Sequence, residues 1–121
     1  MFWKSKLIEV GLKITLSCNE DEDGRLLMTG MYKNILLSGV PRPGDFILGF
    51  EILEMAEVKD VNWMCGGGVL IELIGNGFAD LPDMISFEQM LINDGWKGAD
   101  PYHGYTEAKQ KYIKIHGYPD N

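Results

Sequence analysis

Asn19-x-Asp21-x-Asp23-Gly24 is the spacing in this chain that comes nearest to a ligand set. Alternate carboxylates can converge on a hard cation, and a glycine permits the sharp turn of a calcium loop. The pattern fails at its far end, because the twelfth position is Gly30 rather than a bidentate glutamate. Glu20, Asp21, Glu22 and Asp23 therefore read as an exposed acidic turn, available to a basic partner. Gly66-Gly67-Gly68 is followed by Val69 and an apolar run instead of the Lys-Ser/Thr and helix of a phosphate loop, so it reads as a hairpin turn. His103 and His116 lack a metal-ligand spacing, and Cys65 has no base placed beside it by the sequence. Asp80, Asp83, Glu88 and Asp94 show no pairing diagnostic of acid–base work. These residues point to a non-catalytic protein that needs no metal or cofactor.

Binding chemistry is better represented. Trp96, Tyr102, His103, Tyr105, Tyr112 and Tyr118 make the last quarter aromatic, and Tyr and Trp anchor interfaces by burying area at low entropic cost. The formal net charge is −7, with 11 basic against 18 acidic side chains. That balance argues against a general duplex-binding surface, which draws its affinity from clustered Lys and Arg. Between residues 61 and 100 Lys97 is the single cation among six carboxylates. The expected partner is a basic protein. The expected contacts are Glu20, Asp21, Glu22, Asp23, Glu72, Asp80 and Asp83, with Trp96 or Tyr102 as the apolar anchor.

The elements that must position these residues follow from periodicity. Ile8, Val10, Leu12, Ile14 and Leu16 alternate with Glu9, Gly11, Lys13 and Thr15, a period of two that predicts a strand. A second, less regular strand over 25–37 closes a long hairpin with it. Ser38 to Asp45, with Pro41, Pro43 and two glycines, predicts an ordered loop. Phe46 to Phe50 predicts a short strand, Ile52 to Trp63 a strand with a bulge where alternation breaks, and Val69 to Ile74 its hairpin partner. Ser86-x-x-Gln89 fits a capping box, so a helix is expected over 86–94, with Phe87, Met90 and Leu91 on one face and Gly95 as its stop. A second helix is expected over 106–116, with Ala108, Tyr112 and Ile115 at helical spacing and Gly117 ending it.

Strands followed by helices make an α+β chain: a small antiparallel β-barrel or curled sheet of about five strands, then two short C-terminal helices. No parallel pairing is expected. At 121 residues the chain reads as one domain, 1–121, with a β-rich part over 1–77 and a helical tail over 78–121 packed on it. No signal-peptide pattern or apolar run of membrane-spanning length is present, and Cys18 and Cys65 form no ligand or disulfide pattern. A cytoplasmic protein with reduced thiols is expected.

Two resemblances bear on fold and function. Val40-Pro41-Arg42-Pro43-Gly44-Asp45, then Val58-Lys59-Asp60-Val61-Asn62-Trp63, then Val69-Leu70-Ile71-Glu72-Leu73, resembles a pattern in small bacterial β-barrel proteins of unassigned function. Asp94-Gly95-Trp96 with Tyr112 and His116-Gly117 resembles the end of ASCH domains, β-barrels related to RNA-binding PUA modules. The chain departs from that family in its acidic charge and in a glycine-rich insertion between Val61 and Asp94. Taken with the charge and the aromatic tail, the leading expectation is an immunity protein that neutralises a bacterial toxin by covering its active site. The alternative is an ASCH/PUA-like module that binds RNA or a nucleoside through Lys109, Lys111, Lys114 and the tail aromatics.

Overall fold

Alternation is realised most completely in β1 (Ile8–Asn19), where Val10, Leu12, Ile14, Leu16 and Cys18 are buried and the residues between them are half-buried. The computed structural model describes residues 6–19, 24, 26–48, 55–99 and 103–119. Along the chain β1 is followed by β2 (Leu26–Leu37), β3 (Phe46–Leu48), β4 (Met55–Trp63), β5 (Val69–Leu73) and β6 (Asn76–Phe78). Then come α1 (Leu81–Asn93), β7 (Lys97–Ala99) and α2 (His103–His116). The fold is α+β, a seven-stranded sheet ordered β3-β4-β5-β1-β2-β7 with β6 also paired to β1.

The structure decides one alternative of the sequence reading and differs from it in two features. Of the two forms expected, the structure has the open sheet followed by helices and not the closed barrel; it has seven strands where about five were expected, and it is mixed, because β1 pairs in parallel with both β5 and β6. Alternation reports which face of a strand is buried but carries no information on the direction of its neighbour. Strands β6 and β7 are three residues each, too short to show a period.

The chain forms two compact units, and β1 and β2 contribute to each. One comprises Met1–Lys13 and Lys33–Ile74; the other comprises Ile14–Tyr32 and Gly75–Asn121. In the first, Val10, Leu12, Ile47, Ala56, Val58, Val69, Ile71 and Leu73 are buried. Strand β4 pairs antiparallel with β5, and the register slips at Lys59, between Val58 opposite Leu73 and Asp60 opposite Glu72. This is the bulge that the broken alternation predicts. The hairpin closes through Gly66 and Gly67 at φ of 101° and 99°, where a Cβ would be strained. In the 38–45 loop the Arg42 N–H donates to Asp45 Oδ2 at 2.8 Å, and the Asp45 N–H donates to Arg42 O at 2.9 Å. Pro43 and Gly44 occupy the turn, and the Gly44 N–H and Asp45 C=O then bond to Val58.

In the second unit α1 begins five residues before the expected start. Asp80, not Ser86, is the N-cap, its carboxylate accepting from the Asp83 N–H at 3.1 Å, with Pro82 in the first turn. The buried face is consequently Met84, Ile85, Glu88 and Leu91, whereas Met90 is exposed and Phe87 packs on Phe78 with ring centroids 5.2 Å apart. The helix stops where expected. Gly95 adopts φ of 94°, its N–H donates to Ile92 O at 3.0 Å, and the Trp96 N–H donates to Leu91 O at 2.9 Å. This pair of bonds is a Schellman motif, which turns the chain inward at Trp96 and on into β7. Helix α2 starts at His103 rather than 106 and ends at Gly117, whose N–H donates to Ile113 O at 2.7 Å. Its buried residue is Tyr105, and Ile115 of the expected apolar stripe is exposed. Among the described residues no helix is long and apolar enough to cross a membrane. Cys18 is buried and Cys65 is exposed.

The register of β1 against its parallel partners advances by one residue, from Lys13 opposite Glu72 to Leu16 opposite Asn76. Gly75 absorbs the extra residue: a Cβ there would lie 2.5 Å from Thr15 O. Gly75→Ala is therefore expected to destabilise by roughly 1–3 kcal/mol, the usual cost of forced overpacking. Gly39→Ala, with nothing within 4 Å of the added carbon, should be close to neutral. Urea-denaturation midpoints of the two variants check this.

Candidate functional site

The sequence-predicted contact residues do not form one cluster. Glu20, Asp21, Glu22, Asp23 and Tyr102 lie outside the described residues. Glu72 is on β5 in the first unit, half-buried, with Lys59 Nζ 3.9 Å from its Oε1. Asp80 and Asp83 are exposed at the start of α1 in the second unit, and Asp80 is occupied in capping that helix. Trp96 is 2% exposed, so its indole belongs to the core of its unit rather than to the surface expected for an anchor. The Schellman motif explains this, because the residue after the helix-ending glycine is directed back over the helix.

Two arrangements were not anticipated. The first is a surface on the β3–β4–β5 sheet. Phe46 and Leu48 are 53% and 68% exposed on β3, which is a sheet edge, with Phe46 directly opposite Glu57 of β4. On the neighbouring pair, β4 with β5, Asp60 stands opposite Glu72. Like charges directly across a strand pair repel each other, and Lys59 stands 3.9 Å from Glu72 on this face. At the end of the hairpin Trp63 stands opposite Val69, on the other face from Asp60 and Glu72, and is 70% exposed. Large apolar side chains left in water beside carboxylates are what a protein-binding patch with a polar rim presents.

The second arrangement is a polar cluster within the other unit. Glu88 is 6% exposed, and its Oε1 accepts from the Tyr105 hydroxyl at 2.8 Å and from Lys109 Nζ at 2.5 Å. Lys109 also lies 5.9 Å from the Tyr105 ring centroid. Helix α1 supplies the acid and α2 supplies both donors from one face, at i and i+4. Burial raises the Tyr105 phenol above its ordinary value, and the Glu88 charge and hydrogen bond raise it further, with a smaller push from Cys18. Tyr105 is thus held protonated as a donor. Glu88 reads in sequence as one of four carboxylates without a diagnostic pairing; its inward role follows once Asp80 sets the helix frame and Glu88 joins the Met84, Ile85 and Leu91 face. A cavity of about 360 Å³ adjoins the cluster, lined among others by Thr29, Gly98, Thr106, Gln110 and Tyr118.

Among the described residues no three His, Cys, Asp or Glu side chains come together as metal ligands. No protein family, curated protein or solved structure matches the chain.

The folded protein holds the Tyr105 proton more tightly than the unfolded chain, whose phenol titrates near 10. The corresponding stability is complete below that pH and is lost as pH rises beyond it. Urea midpoints should fall between about pH 9 and about pH 11 in the wild type, and by less in Tyr105→Phe. At neutral pH the same variant should lose roughly 1–3 kcal/mol, because the buried Glu88 carboxylate is left with one donor fewer.

Proposed function

We propose that this chain is a non-catalytic, acidic protein-binding protein of the immunity type, which neutralises a basic bacterial toxin by covering its active site. The observation that carries the reading is the β3 edge, where exposed Phe46 and Leu48 adjoin Glu57 and the opposed carboxylates Asp60 and Glu72. A cationic side chain of the partner set between Asp60 and Glu72 relieves their repulsion, while the neighbouring apolar groups supply the area that stabilises the complex. The net charge of −7 steers a basic partner and repels nucleic acid that the toxin would otherwise hold. Asp80 and Asp83 on the second unit, and the 20–23 cluster, extend the acidic character without being required for the contact at β3.

The ASCH-like alternative draws on Lys109, Lys111 and Lys114. It has less support, because the Lys109 ammonium is engaged by Glu88 and so contributes little to a phosphate site.

The test is recovery of the tagged chain from its native cell at low salt, followed by native mass spectrometry and growth assays. A stoichiometric basic protein is expected, toxic when expressed alone and harmless when co-expressed with the chain. Glu57→Gln/Asp60→Asn/Glu72→Gln should slow its association by about tenfold at low salt, since paired surface charges act chiefly on the on-rate. Phe46→Ser/Leu48→Ser should instead speed dissociation. Recovery of nucleic acid alone, or a partner whose toxicity the chain does not relieve, overturns the reading.

A further inference from the structure

We propose that the cavity beside Glu88 binds a neutral, polyhydroxylated ligand of the saccharide class. Both protein donors to Glu88 converge on Oε1, and Oε2 carries no protein hydrogen bond among the described residues. Oε2 is not among the buried polar atoms left without a partner, so it is open to the cavity, where water or a ligand hydroxyl can donate to it. The charge of the ligand follows from the walls. Glu88 and Lys109 are the charged lining residues, and they form one ion pair, so a charged ligand would meet as much repulsion as attraction.

The kind of polar group follows from the spacing. Glu88 Oε1 and Lys109 Nζ are 2.5 Å apart, so an acceptor and a donor lie side by side. A hydroxyl both donates and accepts, and two neighbouring hydroxyls can donate to Oε2 while accepting from the ammonium. Thr29 on β2, with Thr106 and Gln110 on α2, are further side chains able to donate and accept. Thr106 and Gln110 stand one helical turn apart on α2 and Thr29 on a separate strand, so these groups come from two elements, which suits a ligand carrying several hydroxyls. Tyr118, largely exposed, offers an aromatic face, and Gly98 leaves room beside it. The volume of about 360 Å³ falls in the small-ligand range and suits one or two sugar rings.

The experiment is an NMR titration of the full chain, labelled with ¹⁵N, against glucose, galactose, N-acetylglucosamine and maltose, with adenosine and uridine run separately. Saturable shifts confined to the Gly98, Thr106 and Gln110 amides are expected with at least one saccharide, with Kd on the order of 1 mM. Gln110→Ala, at an exposed position, should keep the spectrum of the folded chain and weaken binding by about tenfold, the loss of one hydrogen bond. Glu88→Gln should abolish the shifts, its fold checked by the same spectrum. Absence of shifts at these amides with every saccharide, or shifts with the nucleosides alone, overturns the proposal. The outcome is independent of the β3 surface, so either reading can fail without the other.

Discussion

Burial of one face of β1 is the constraint on which the other elements depend. Val10, Leu12, Ile14, Leu16 and Cys18 all point to the same side, and a slip of one residue would place every one of them on the other face. The strand therefore accepts one register against each neighbour. Its parallel partners are β5 and β6, two short strands that follow each other in sequence and are separated by Ile74 and Gly75. Because β1 does not shift, the extra residue has to be taken up on the partner side, and the close approach of Gly75 to Thr15 is how this is done. A residue with a side chain cannot stand there without moving backbone.

Helix α1 obeys a similar rule of consequence. Its start at Asp80 sets the frame that brings Met84, Ile85, Glu88 and Leu91 to the buried side. An acid on that face must be satisfied, since an unpaired buried charge is far costlier than an exposed one. Tyr105 and Lys109, one helical turn apart on α2, supply the donors, and the phenol is held neutral by its surroundings. One capping choice thus decides why α2 carries a buried tyrosine and a half-buried lysine. The same cluster leaves a carboxylate oxygen over the cavity.

The exposed groups divide by chemistry. The β3–β4–β5 surface combines large apolar side chains with like charges set opposite each other, the arrangement on which the proposed contact with a cationic partner rests. The Glu88 cavity combines paired charge with amphoteric side chains, which suits a small neutral ligand. Among the described residues β3 stands at the edge of the sheet, and its three-residue length limits indiscriminate strand pairing.

By itself the sequence determined the local elements wherever the signal is a property of neighbouring residues. The alternation of β1, the bulge near Lys59, the glycine turn before β5, the Pro43-Gly44 turn and the stops at Gly95 and Gly117 were all legible, because periodicity and φ preference act within a few positions. The start of α1 was misread because Asp80 with Pro82 competes with Ser86, and only packing of Met84 and Ile85 decides between them. Tertiary structure alone decided the parallel pairing of β1, the burial of Trp96, the exposure of Trp63, Phe46 and Leu48, and the meeting of Glu88 with Tyr105 and Lys109. Those depend on contacts between residues 17 to some 60 positions apart. No local pattern encodes such contacts, because which face is covered, and by what, is settled only when the elements pack.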